Sequence, residues 1–310
     1  MLSLYFEREC AVSRFSFQMP KPLRLSRSTK YINEGLNLIP KQIDALYFSA
    51  TGTTKKIVTA IADKISENIV GKMEINNIDF TLPEARKQVV SFSNEHVVVV
   101  GVPVYAGRVP NVLLKYLKTV AGKGALAVAV VVYGNRNYDD ALGELQDILE
   151  ADGFRVVSGG AFIGEHSFSR TLGQNRPDDQ DMALARDFAG RICRKLTAPG
   201  EISSVAVKGN RPYRDYYKPR DQNGNAVDVR KVTPKTNNDC IDCKLCAEIC
   251  PMGAIDAGDV SKLTGICIKC CACIKNCPVG AKYFDDENYL WHKQELEKKF
   301  TERREPEVFL

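Results

Sequence analysis

Nine of the eleven cysteines lie between residues 240 and 277, and eight of those nine form a repeat. CIDCKLCAEICP, Cys240 to Pro251, returns 27 residues later as CIKCCACIKNCP, Cys267 to Pro278. Both have the form C-x2-C-x2-C-x3-C-P, and the register continues through Gly253 with Gly280 and Ala254 with Ala281. A secreted disulfide scaffold spreads its cysteines to close loops. Clustering at two-residue gaps points instead to metal-binding thiolates, which need a reducing compartment, so a cytoplasmic location is expected.

Three thiolates spaced two residues apart in a tight loop can face one point, which suits three irons of a cubane cluster. Structural zinc needs only four ligands and usually places a longer spacer between its cysteine pairs, so it fits poorly. The stretch from about Asn237 to Tyr283 resembles the bacterial-type 2[4Fe–4S] ferredoxin family. That resemblance implies crossed ligation, in which the fourth cysteine of each motif serves the other cluster. Cys240, Cys243, Cys246 and Cys277 would hold one [4Fe–4S] cluster, and Cys267, Cys270, Cys273 and Cys250 the second. Cys271 is surplus and reads as a small buried side chain, while Cys193 falls in a helical pattern and reads as packing.

Upstream, strand-like and helix-like runs alternate. DALYFSA, KMEINNIDF, HVVVVGVPVY, GALAVAVVVYG and FRVVSGGAFIGE read as strands with helices between them. This order predicts an α/β fold, a doubly wound five-stranded parallel sheet covered on both faces. Ligands of such sheets bind beyond the carboxyl ends of the strands. The first loop there, SATGTT, supplies Ser49, Thr51, Gly52, Thr53 and Thr54, whose hydroxyls and helix-start amides suit a phosphate. The second supplies Pro103, Val104, Tyr105, Ala106 and Gly107, and the third Gly134, Asn135, Asn137, Tyr138 and Asp139. Each loop alone is a weak signal, since a capped helix start or a loop tyrosine is common. A phosphate cradle flanked by Tyr105 and Tyr138 suits a mononucleotide with a planar ring, FMN.

YFSATGTTKKI resembles the flavodoxin phosphate loop, with Ser49, Thr51, Gly52 and Thr54 at the matching positions. A flavodoxin-like FMN-binding domain over 41–197, joined by a linker over 198–236 to a small α+β ferredoxin domain over 237–285, resembles the fused flavodoxin–ferredoxin (EFR1) family. Residues 286–310 read as a charged C-terminal helix and tail. Residues 1–40, rich in Arg and Ser and carrying Glu7 and Glu9, fit neither a secretory signal nor a transit segment and read as a poorly ordered extension.

A net charge of +5 over 310 residues lacks the concentrated basic face of a nucleic-acid binder, and no apolar run is long enough for membrane insertion. Arg211, Arg214, Tyr216, Tyr217 and Lys218 read as a tyrosine-pinned linker. His96, His166 and His292 belong to no catalytic constellation, although His166 falls where it could border a flavin. No catalytic residues are assigned. The expectation is an electron-transfer flavo-iron–sulfur protein, an oxidoreductase component of anaerobic metabolism that passes electrons between two [4Fe–4S] clusters and FMN. Its partner would be a redox protein or a small electron acceptor. The competing readings are a redox sensor and a structural module with an empty flavin site.

Overall fold

The computed structural model describes residues 40–69 and 75–310. The expected N-terminal extension, except Pro40, lies outside the described residues. Five strands, β1 (Gln42–Tyr47), β2 (Ile75–Asp79), β3 (His96–Pro103), β4 (Leu126–Tyr133) and β5 (Arg155–Ile163), pair in parallel in the order β2-β1-β3-β4-β5. β4 is buried along its whole length, as its unbroken apolar sequence LAVAVVVY requires of a strand covered on both faces.

Helices fill the crossovers. α1 (Thr53–Asn68) and α4 (Asp179–Thr197) pack on one face, and α2 (Asn111–Leu117) and α3 (Ala141–Ala151) on the other. α1 buries Ile57, Val58, Ile61, Ala62 and Ile65, the spacing of a single helical stripe. Its close approach needs Gly101 on β3, where a Cβ would stand 2.1 Å from Val58 Cγ2. α4 opens with a capping box: the Asp178 carboxylate accepts the Gln180 and Asp181 amides, and Asp181 accepts the Asp178 amide at 3.0 Å. Cys193 on α4 is buried in this core.

The sheet has a sixth strand. After α7 (Glu287–Lys299) the tail leaves the helix, and β8 (Glu307–Phe309) pairs antiparallel with β5, covering the exposed sheet edge. Residues 300–310 are therefore not a continuation of the charged helix.

The cysteine-rich region is a small unit closed by the two-residue strands β6 (Lys235–Thr236) and β7 (Lys282–Tyr283). Its short helices α5 (Leu245–Glu248) and α6 (Ala272–Lys275) occupy equivalent places in the repeat. Backbone conformation repeats as well: Asp242 and Lys269, Lys244 and Cys271, and Gly253 and Gly280 all have positive φ between 51° and 67°.

The segment between the two regions is bound tightly to the sheet domain. Arg108 grips the Glu144 carboxylate through Nε (2.8 Å) and Nη2 (2.7 Å), and the Val109 amide donates to the same carboxylate at 2.8 Å. The Tyr213 and Tyr216 rings lie 4.6 and 5.0 Å from the Arg108 guanidinium, whose Nη1 donates to the Arg214 carbonyl at 2.7 Å. Glu144 is buried, so its loss strands the arginine. We expect Glu144→Ala to destabilise the chain by about 3 kcal/mol, read as a lower urea midpoint at unchanged slope.

Candidate functional site

At the carboxyl ends of β1, β3, β4 and β5 four loops enclose a cleft, lined in part by Thr51, Thr53, Thr54, Pro103, Val104, Tyr105 and Gly134. The first loop has the chemistry of an anion cradle. Gly52, at φ +88°, starts α1 without a side-chain cap, and the Ser49 hydroxyl accepts the Lys55 amide at 2.9 Å. Among the described residues nothing accepts a hydrogen bond from the amides of Ala50, Thr51, Gly52, Thr53 or Thr54. Five free donors at a helix start fit a phosphate.

The second loop is a tight turn in which the Tyr105 and Arg108 backbones bond each other at 3.0 and 3.1 Å. Ala106 and Gly107 shape the turn and do not line the cleft; a Cβ on Gly107 would run into the Asp139 carboxylate. Tyr105 remains in the cleft.

The third loop differs from expectation, because only Gly134 lines the cleft. Tyr138 is buried against Tyr133, with ring centroids 5.6 Å apart, and its hydroxyl donates to Glu307 of β8 at 3.0 Å. The Asn135 side-chain amide donates to the Phe300 and Glu302 carbonyls (2.7 and 2.9 Å), and its oxygen accepts the Arg304 backbone amide at 3.1 Å. Asn137 accepts the Asp139 amide at 2.9 Å, and Asp139 pairs with Arg136. The tail engages the residues that were expected to flank the flavin, so Tyr138 is not a face of this cleft.

The opposite wall comes from Gly164, Glu165, His166 and Ser167, after β5. His166 Nδ1 accepts the Phe168 amide at 3.1 Å, which places the ring proton on Nε2. Burial, with Lys275, His292 and Arg136 nearby, pushes the His166 pKa down to about 3, so the ring is neutral at physiological pH. Apart from His166, nothing in the sequence marked this wall.

Cys270 also lines the cleft. Burial, then the neighbouring Cys270, Cys271 and Cys267 thiols, hold the Tyr105 phenol well above its ordinary pKa. The same Cys270 lines a second, apolar cavity together with Cys250, Cys267, Cys271 and Cys273. Burial and mutual proximity push the Cys270 and Cys273 thiols up to about 12, with Cys250 and Cys267 contributing to both. Among the described residues no three cysteine, histidine or acidic side chains converge on a single-ion site; Cys250, Cys267, Cys270 and Cys273 surround a cavity instead.

On the other side, Cys246 is raised by burial and by Cys240, while Cys243 is exposed. Burial opposes ionisation of Cys277, but the amides of Val279, Ala281, Lys282 and Gly280 outweigh it and lower its pKa. Cys271, on the left-handed residue preceding α6, turns into a small apolar cluster with Phe284 and Tyr289.

Two family descriptions match the chain: Flavodoxin domain over residues 45–141 and 4Fe-4S binding domain over residues 234–256. Among solved structures the chain is similar to oxidised flavodoxin 2 from Bacillus cereus, at 15% identity over 50% of this chain and 99% of that one, with a TM-score of 0.37. It is also similar to a mutant flavodoxin from Fusobacterium nucleatum bound to flavin mononucleotide, at 17% identity over 52% and 99%, with a TM-score of 0.34. No curated protein matches the chain. The chain has a flavodoxin-like α/β fold followed by a ferredoxin-type region. The two matched domains point to an electron-transfer redox protein. FMN and [4Fe–4S] are the cofactors these domains suggest. Among the described residues no helix is long and apolar enough to cross a membrane.

The placement of the two tyrosines separates their roles. Tyr105→Leu should weaken FMN binding on the order of tenfold, the scale of one lost aromatic stacking contact. Tyr138→Phe removes only the bond to Glu307 and should leave FMN affinity within about twofold. Quenching of free-flavin fluorescence during titration measures both.

Proposed function

We propose that the chain is a cytoplasmic flavo-iron–sulfur electron carrier of the EFR1 kind. In this reading it exchanges electrons between two [4Fe–4S] clusters and FMN within oxygen-poor metabolism, with a redox protein or small acceptor as outside partner. When bound, the clusters supply one-electron storage and FMN supplies exchange between one- and two-electron partners.

The observation that carries this reading is the double position of Cys270, whose side chain borders both the flavodoxin cleft and the cysteine-lined cavity. Cys250, Cys267, Cys270 and Cys273 are the ligands proposed for one cluster, and Cys240, Cys243, Cys246 and Cys277 for the other. The free amides of residues 50–54, with the Thr51 and Thr54 hydroxyls, would hold the phosphate. Tyr105 would offer its ring to the flavin, and Gly134 and His166 would close the far side.

The holoprotein, purified without oxygen, should contain about eight irons, about eight acid-labile sulfides and one FMN per chain. Thr51→Val with Thr54→Val should lose FMN and keep the iron. Iron at that level with no flavin in the wild-type chain would leave a ferredoxin on a silent scaffold, and the oxidoreductase reading would fail.

A further inference from the structure

The 27-residue repeat provides two copies of one loop, and the copies have different neighbours. In the second copy, Ile268 packs against the apolar core of the flavodoxin-like domain, and Cys270 is buried at its cleft. Lys275 of this copy pairs with Glu165 and donates to the Ser169 carbonyl at 2.7 Å. The Cys-Pro turn completing that cluster docks as well: Arg86 donates to the Pro251 carbonyl at 2.5 Å, and a Cβ on Gly253 would lie 3.5 Å from Pro83.

Around the other four cysteines, Cys240, Cys243, Cys246 and Cys277, the equivalent positions face solvent. Ile241, matching Ile268, is 61% exposed, and Cys243, matching Cys270, is exposed. Val279, matching Met252, is 40% exposed, and a Cβ on Gly280, matching Gly253, would meet nothing within 4 Å. Backbone conformation is shared between the copies, so the difference lies in what covers them.

Charge is reversed between the copies. Lys269 becomes Asp242, and Lys275 becomes Glu248. Both acids are exposed, as is Asp239 beside them, and Lys244 on the same loop is paired with Asp242 at 2.7 Å. The half that docks within the chain is basic and meets the acidic Glu165. Among the described residues the other half has the same backbone conformation, two exposed apolar side chains, Ile241 and Val279, and three exposed acids.

We propose that the face around Cys243, formed by Ile241 and Val279 inside Asp239, Asp242 and Glu248, is a docking surface for a redox protein with a basic rim around its cofactor edge. The apolar centre lets the two cofactor edges approach without intervening water, while the acids steer and orient the partner. This inference rests on the two-cluster reading above.

The test uses ferric cytochrome c, a small basic haem protein, mixed by stopped flow with the reduced full-length holoprotein after excess dithionite has been removed. Each event oxidises one cluster by one electron and reduces one ferric haem. The second-order rate should fall as salt is added, and fall on the order of tenfold in Asp242→Lys with Glu248→Lys. Asp242→Asn with Glu248→Gln should give a smaller drop. Asp63→Lys with Glu67→Lys, exposed on α1, should leave the rate unchanged.

Iron is measured in every sample. Absence of the second cluster in the wild-type chain overturns the two-cluster reading on which the surface depends. Intact iron with an unchanged rate in the loop variants, or an equal drop in the α1 variant, overturns the docking surface alone. Two further outcomes also overturn it by assigning the face to another occupant. One is a concentration-dependent dimer abolished by the loop variants. The other is a carbodiimide cross-link from Asp242 or Glu248 to Lys21 or Lys30.

Discussion

Five thiols around one apolar cavity, Cys250, Cys267, Cys270, Cys271 and Cys273, make a poor resting arrangement for a protein without a cation to hold. Burial and mutual proximity push Cys270 and Cys273 far above the ordinary thiol range, so ionising them there needs strong positive charge close by. The iron of the proposed cluster would supply that charge. Because Cys250 comes from one arm of the repeat and Cys267, Cys270 and Cys273 from the other, the cavity exists only when the two arms fold against each other. The β6–β7 pairing holds the same closure from outside.

The rest of the architecture carries this cavity to the flavodoxin-like cleft. Arg108, clamped by Glu144 and faced by two tyrosines, fixes the connecting segment to the sheet domain. Ion pairing of Lys275 with Glu165 and the Arg86 contact to Pro251 fix the cysteine loops over the strand ends. Tyr105 and His166 then stand on different walls of a cleft that Cys270 also borders. The tail serves a different purpose: it seals the β5 edge and holds the third loop through Asn135 and Tyr138.

What could be read from the sequence was what depends on neighbours in the chain. Cysteine spacing is local, because the thiols of one motif share one short loop, and the Ser49–Thr54 loop is local for the same reason. Alternating apolar runs announced the five parallel strands. The orientation of Tyr138 was hidden because its partner, Glu307, is 169 residues away. β8 was hidden because three residues after a charged helix carry no pattern of their own. The place of Cys270 at the cleft of the flavodoxin-like domain depends on how two regions dock, which no local motif records. His166 was visible only as a residue on a loop after a strand. Its neutral state comes from burial, which only the folded chain provides.

The most direct test of the central claim is anomalous diffraction at the iron edge from crystals of the holoprotein grown without oxygen. The account predicts two iron centres, one enclosed by Cys250, Cys267, Cys270 and Cys273, with flavin density in the cleft that Cys270 borders. A zinc-edge signal at those cysteines, or a flavin bound away from that cleft, would contradict it.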